Sequence, residues 1–156
     1  MKTLIVYASK HGTTETIASK MQDFMGNPCD TINLGSSVRP DLSRYDQVIV
    51  GGSVHAGKIQ QSVRKFCHKN TLELKEKRLG LFIVGMFRDQ FTPQFEQAFP
   101  PLLRQHAFHT ACFEGEYKFD RMKSLEKMLV KKITGFTGSH SRLDPRSVKA
   151  FARKFR

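Results

Sequence analysis

The sequence predicts an α/β domain in which a parallel sheet lies between two layers of helices. Three observations lead there. Short apolar runs without polar alternation recur along the chain, as in Leu4-Ile5-Val6-Tyr7, Val48-Ile49-Val50 and residues 79–84. Such runs read as strands buried on both faces. Between them lie stretches whose apolar residues fall at helical spacing. Buried strands alternating with helices imply parallel pairing and right-handed crossovers. At 156 residues the whole chain, 1–156, reads as a single domain able to bury a substantial core.

Residues 2–8 form the first strand. A Ser/Gly/Thr cluster follows, then a helix over 13–25 with Ile17, Met21 and Phe24 on one face. Gly26-Asn27-Pro28 ends that helix, as glycine and proline do just past a C-terminus. Residues 29–34 are the second strand. A short turn of helix leads to the third strand, 46–51, after which Gly51-Gly52-Ser53 opens a loop. Residues 59–70 form a helix with Val63 and Phe66 inward, and 78–86 the fourth strand. Thr92-Pro93 starts a helix, with proline in its first turn, that runs to about Gln105. Residues 108–116 are the fifth strand. The last helix spans 145–155, with Val148, Phe151, Ala152 and Phe155 inward.

Residues 117–144 interrupt this plan. The core of the insertion, 121–133, places Met122, Leu125, Met128, Leu129 and Ile133 on one helical face. Lys123, Lys127, Lys131 and Lys132 fall mostly elsewhere, so the segment is an extra basic amphipathic helix. Gly135, Gly138 and Ser139 then form a flexible link. The stripe either packs on the domain or enters a lipid surface, since the two look alike in sequence.

Composition narrows the setting. No apolar run reaches the roughly 18 residues needed to span a bilayer. The N-terminal apolar run is broken at Ser9, Lys10 and His11, which makes a poor secretory signal and places the protein in the cytoplasm or at the inner face of its membrane. Cys29, Cys67 and Cys112 are far apart and form no CxxC, so they suggest neither a zinc site nor a disulfide framework, but small buried or half-buried residues. The formal net charge is +12, and it is unevenly spread. Residues 1–60 hold six basic and five acidic residues, whereas 121–156 hold eleven basic and two acidic. A basic C-terminal region suits an acidic partner surface or is simply a solvated face. No motif supports specific nucleic-acid recognition, and charge alone gives only non-specific binding.

The chemistry-bearing segment follows the first strand: Ser9-Lys10-His11-Gly12-Thr13-Thr14, then a helix. The first turn of a helix has unpaired N–H groups and a partial positive charge. Gly12 lets the backbone approach an oxygen closely, and Ser9, Thr13 and Thr14 can donate hydroxyl hydrogen bonds. Together these make an anion site. A helix cap needs only one hydroxyl. The order is neither the GxxxxGK[ST] of a P-loop nor GxGxxG.

This loop resembles the phosphate loop of flavodoxins, [ST]-x-[ST]-G-x-T. Ser9, Gly12 and Thr14 match it, and His11 stands where that family usually has Thr. An imidazole still donates an N–H but adds a dependence on pH. The resemblance implies a flavodoxin-like three-layer sandwich, a five-stranded parallel sheet in the order 2-1-3-4-5 with helices on both faces. It also implies flavin mononucleotide (FMN) as cofactor, bound where the first and third strands diverge. The other flavin loops are then Ser53, Val54, His55, Ala56 and Gly57 after the third strand, and Met86, Phe87 and Arg88 after the fourth. Flavodoxins often stack aromatics on the ring. This chain has no Trp, and Phe87 is the aromatic candidate, so the ring is expected to be less covered. His55 either touches the flavin or is an ordinary exposed loop histidine. A phosphorylation receiver shares the fold but needs acidic residues where this chain has Ala8-Ser9 and Gly51-Gly52-Ser53.

Within that family the loop Gly52-Ser53-Val54-His55-Ala56-Gly57 resembles G-x-S-[IV]-[RH]-x-G of the menaquinone-dependent protoporphyrinogen oxidase subgroup. Phe119-Asp120-Arg121-Met122 and Lys132-Ile133-Thr134-Gly135 are similar to parts of the insertion found there after the fifth strand. The expected function is therefore that of an FMN-binding electron-transfer protein. The alternative is an oxidase at the membrane surface that passes electrons from a reduced tetrapyrrole to a quinone. The implied partner is a redox protein or a quinone, with peripheral contact to anionic lipid through the segment from Arg121 to Lys132. Flavin chemistry requires no acid–base residue from the protein, and none is assigned.

Overall fold

The computed structural model describes residues 1–117, 123–134 and 140–156. Every residue of the first strand, β1 (Thr3–Ala8), is buried. Its side chains alternate between two cores: Leu4, Val6 and Ala8 enter one, Ile5 and Tyr7 the other. That alternation follows from the period of two and explains why the stretch 4–8 carries no charged residue. β1 lies between β2 (Cys29–Asn33) and β3 (Gln47–His55), parallel to both. A two-residue strand, β4 (Lys58–Ile59), pairs antiparallel with the end of β3. β5 (Arg78–Gly85) pairs with β3 and β6 (His109–Glu114) with β5, both parallel. The resulting order, β2-β1-β3-β5-β6, is the expected 2-1-3-4-5 when only the long strands are counted.

Helices cover both faces. On one, α1 (Thr13–Phe24) and the last helix (Pro145–Arg153) bury Ile17, Met21, Val148, Phe151 and Ala152 against Ile5, Ile49 and Phe82. Phe155, just past that helix, completes this core and is fully buried. On the other face α2 (Gln61–Lys69), α3 (Thr71–Leu74), α4 (Phe91–Ala98) and α5 (Pro101–His106) contribute Val63, Phe66, Leu74, Phe91 and Leu103. The buried Gln47 ties the sheet to the C-terminus, its amide donating to Thr3 Oγ1 at 3.0 Å and to the Phe155 carbonyl at 2.8 Å.

Three local expectations need correction. The third strand does not end at Gly51 but runs on to His55. A Cβ on Gly51 would lie 2.2 Å from the Phe82 ring, and one on Gly52 2.5 Å from Gln60 Oε1. These glycines give room to neighbours within a strand, and the turn comes later, at Ala56 (φ 50°) and Gly57 (φ 79°). The helix expected from Thr92 to about Gln105 is two helices. Phe99 and Pro100 are extended between them, because a residue before proline is driven out of the helical region and Pro100-Pro101 follow in tandem. Finally, Cys67 is buried and Cys29 half-buried as expected, but Cys112 is exposed on the edge strand.

The insertion starts at the carboxyl end of β6. Its base is a small antiparallel ladder of β7 (Glu116–Tyr117) and β8 (His140–Ser141), and it carries α6 (Ser124–Thr134). The last helix is therefore α7. Phe119, Asp120, Arg121, Met122, Gly135, Gly138 and Ser139 lie outside the described residues.

The two kinds of glycine separate on substitution. Gly51→Ala is expected to destabilise the fold by on the order of 2 kcal/mol or more, because the Phe82 ring must shift. Gly57→Ala meets no atom within 4 Å and should cost only about 1 kcal/mol of left-handed backbone strain. Urea unfolding of both variants measures the difference, and equal losses would contradict this account of Gly51.

Candidate functional site

The chain leaves β1 towards the α1 face and, through β4, leaves β3 towards the α2 face. The two connections part and leave a crevice at the carboxyl ends of the strands. Ser9 and His11 of the first connection and Thr13 of α1 line it on one side, and Ser53, Val54 and His55 at the end of β3 on the other. Val84, Gly85 and Met86 close it from the end of β5, with Gly115 beyond β6. The cleft holds about 30 Å³, roughly the room of one water molecule.

The loop before α1 is shaped by Gly12, whose φ of 89° requires the left-handed region. Its N–H donates to Ser9 Oγ at 3.0 Å. Its carbonyl starts the helix, accepting from the Thr16 N–H at 3.0 Å and from Thr16 Oγ1 at 2.9 Å. No side chain caps α1, so the hydroxyls of Ser9, Thr13 and Thr14 do not serve the ordinary capping role. Thr14 is fully buried, and its Oγ1 has no hydrogen-bond partner among the described residues. A buried hydroxyl left unpaired costs about 1–3 kcal/mol.

The second wall is a polar network. The Ser53 N–H donates to Gln60 Oε1 at 2.9 Å, and Gln60 Nε2 donates to Ser53 Oγ at 2.6 Å. Ser53 Oγ in turn lies 3.0 Å from His55 Nε2. His55 is half-buried rather than an exposed loop residue, and its ring meets that of His11 edge-on with centroids 5.5 Å apart. Burial, then the charges of Lys10 and His11, pull its pKa down from 6.5 to about 4 against an opposing pull from Glu126.

Across the mouth of the loop lies Glu126 of α6. One carboxylate oxygen is 2.7 Å from Lys10 Nζ and the other 2.7 Å from His11 Nε2. Burial acts to raise the Glu126 pKa, but hydrogen bonds and charge from Lys10, and then from His11, outweigh it and lower the carboxyl below its usual range.

Not every expected residue reaches the cleft. Lys10 turns out to Glu126, and Ala56 and Gly57 are exposed at the hairpin turn. Gly12 and Thr14 belong to the loop but are not among the residues that line this cleft. Phe87 is half-buried outside the cleft lining, and Arg88 is exposed and paired with Glu114 at 2.8 Å. Sequence reasoning missed Gln60, Gly115 and Glu126. For Glu126 a signal existed: it is the lone acid in the lysine-rich stretch Ser124–Thr134.

A family model described as "Flavodoxin domain" matches residues 4–144. The chain belongs to the flavodoxin domain family. Among curated proteins it is similar to protoporphyrinogen IX dehydrogenase (quinone) of Escherichia coli, 23% identical over 150 residues that cover 90% of this chain and 83% of that protein. Among solved structures it is similar to oxidised flavodoxin 1 of Bacillus cereus, with a TM-score of 0.64 at 16% identity, covering 99% of this chain and 97% of that one. A Fusobacterium nucleatum flavodoxin bound to flavin mononucleotide matches with a TM-score of 0.59 at 12% identity, covering 99% and 96%.

The half-buried His55 gives this flavodoxin-family site a pH signature. The unfolded chain takes up a proton near pH 6.5, whereas folded His55 does so only near 4. Its contribution to stability is therefore complete above about pH 6.5 and is lost as the pH falls towards 4, by at most about 3 kcal/mol. Urea unfolding at pH 7.5 and 4.5 should show His55→Gln losing less stability on acidification than the unaltered protein. Equal losses would mean that His55 titrates alike in both states.

Proposed function

We propose that this chain is an FMN-binding electron-transfer protein, a single flavodoxin-like domain over residues 1–156, whose cofactor phosphate is held by Ser9, Lys10, His11, Gly12, Thr13 and Thr14. The observation that carries this reading is the Thr14 hydroxyl: fully buried, unpaired among the described residues, at the start of an uncapped helix and behind a left-handed glycine. A terminal phosphate satisfies that hydroxyl and the free N–H groups of the first turn together. Family membership supports the same ligand, as does the common fold with a flavodoxin that holds FMN.

Bound flavin supplies one- and two-electron chemistry, while the protein supplies binding, orientation and electrostatics. Gly12 admits the phosphate and Thr14 donates to it. Ser53, Val54, His55 and Met86 border the space beside it, with Ala56 and Gly57 at the hairpin and Phe87 and Arg88 at its rim. The neutral His55, braced through Ser53 and Gln60, is a fixed dipole there rather than a charge.

Replacing Thr14 with Val tests the phosphate assignment. The variant removes an unpaired buried hydroxyl, so it should fold with unchanged or slightly higher stability. FMN binding, followed by quenching of flavin fluorescence, should weaken at least about 10-fold, as loss of a hydrogen bond to a charged group does. Riboflavin, which lacks the phosphate, should bind as before. Unchanged FMN affinity would remove Thr14 from the site.

A second reading has its own observation. Leu125, Met128 and Leu129 of α6 are 74%, 63% and 51% exposed, so the apolar stripe faces outwards. Lys123, Lys131 and Lys132 are exposed beside it. Lysines near an anionic leaflet contribute about 1 kcal/mol each, and three such side chains suit the headgroup boundary. With the similarity to a quinone-linked dehydrogenase, this supports a peripheral, quinone-reducing oxidase on the cytoplasmic side of the membrane. The protein should then bind vesicles containing phosphatidylglycerol in a salt-sensitive way. Leu125→Ser with Met128→Ser and Leu129→Ser should lower that binding roughly 10-fold or more without loss of stability. Equal binding by the triple variant would return α6 to the solvent.

A further inference from the structure

The loop that offers anion-binding donors already faces an anion from its own chain. Glu126 lies 115 positions from His11 in sequence, yet it divides its two carboxylate oxygens between Lys10 and His11 at 2.7 Å each. The contact is partly shielded, with side-chain exposures of 24% for Glu126, 10% for His11 and 42% for Lys10. Among the described hydrogen bonds and ion pairs, those joining α6 to the sheet domain end on Glu126. Among the described side chains of the apolar stripe, Leu125, Met128 and Leu129 are exposed and do not fasten the helix.

Two further facts bear on what this contact does. The cleft beside it has room for about 30 Å³, whereas cofactor pockets occupy some hundreds of Å³. A phosphate monoester brought to Ser9, Gly12 and Thr14 also carries up to two negative charges to within reach of Lys10 and His11. Two anions sharing the same donors at short range repel each other, and in a partly shielded mouth water screens them less.

We propose that Glu126 sets the affinity of the loop for phosphate by competing with it. Its carboxylate latches α6 onto Lys10 and His11, and a phosphate ester bound in the loop displaces the carboxylate and frees the helix. The inference rests on the FMN reading for its natural ligand, but the latch itself can be tested with inorganic phosphate. It assigns to the site a residue outside the two strand-end loops, and it gives the insertion a role in ligand selectivity: a ligand without the phosphate gains nothing from displacing Glu126.

The test compares the full-length protein with Glu126→Gln and Glu126→Ala. Both changes remove one charge from a partly exposed position and leave the two cores untouched. Dissociation constants for FMN and riboflavin are measured by flavin fluorescence. Hydrogen exchange of residues 124–134 is followed without ligand, with FMN and with inorganic phosphate. Both variants should bind FMN on the order of 10-fold more tightly, with riboflavin unchanged. Exchange in 124–134 should speed up in the unaltered protein when FMN or phosphate is added, and should already be fast in the variants. Slower exchange on adding FMN, or weaker FMN binding by the variants, would overturn the proposal by making Glu126 a clamp that closes over the ligand. Unchanged affinity and exchange would overturn it too. If neither protein bound FMN, the cofactor reading would fall, and the exchange response to phosphate and to Glu126→Gln would still decide the latch.

Discussion

The crevice exists because the crossovers that leave the neighbouring strands β1 and β3 go to opposite faces of the sheet. From β1 the chain passes to α1, whose Ile17 and Met21 pack with Phe151 and Phe155, while from β3 it passes to α2, whose Val63 and Phe66 pack with Leu81 and Ile83. A helix must bury its apolar stripe on one face or the other, so two neighbouring strands with helices on different faces send their loops apart, and here His11 and His55 meet edge-on across the gap. The site depends on that parting, and the parting depends on the commitment of β1 and β3 to the middle of the sheet. Both strands place alternate side chains in separate cores, and a slip of one residue would exchange the two sets. Buried Gln47, bonded to Thr3 and to the Phe155 carbonyl, fixes the amino ends of the same two strands to the end of the chain.

The walls of the crevice divide the electrostatic work. The α1 side is positive, through the unpaired N–H groups of its first turn and Lys10. The β3 side is held neutral, because burial and nearby positive charge keep the proton off His55. Glu126 offsets part of the positive side. A site so arranged favours a compact anion on one wall and an uncharged ring on the other. That is the distribution of charge in a phosphorylated flavin, whatever the surface charge of the rest of the molecule.

Much of this was legible before any coordinates. The alternation of strands and helices and the inward residues of α1 and α7 follow from periodicity and spacing, because a strand buried on both faces and a helix buried on one leave different patterns in sequence. The strand order follows from the resemblance of the loop after β1 to that of flavodoxins. The third strand was cut short because Gly51-Gly52 reads as a turn. Glycine signals equally a left-handed turn and a close approach, and only the position of the Phe82 ring distinguishes them. The break at Phe99 has its signal in the tandem Pro100-Pro101, which competes with the helix-starting signal of Thr92-Pro93. Gln60 and Glu126 were out of reach for another reason. Each acts on a residue that sequence alone does not bring near it: Glu126 meets the loop only because β7 and β8 return the insertion to the carboxyl edge of the sheet.

The orientation of α6 is where magnitudes decide. Successive residues turn by about 100° on a helix, so Glu126 lies about a quarter-turn from Leu125 and outside the arc shared by Leu125, Met128 and Leu129. With Glu126 on the loop, the stripe faces away from the domain. Burying three such side chains would be worth about 1.5–3 kcal/mol each, whereas a partly exposed ion pair contributes about 1 kcal/mol. A helix free to choose would turn its stripe inwards. It does not, because both faces of the sheet are already covered: Phe82, Phe113, Phe151 and Phe155 fill one core, and Phe66, Phe91 and Phe99 take part in the other. Among the described residues the polar contact of Glu126 with Lys10 and His11 sets the angle of α6. The unburied stripe is then the larger energy still to be gained, and that imbalance supports reading α6 as an element that docks elsewhere, held in place by a contact weak enough for an anion to displace.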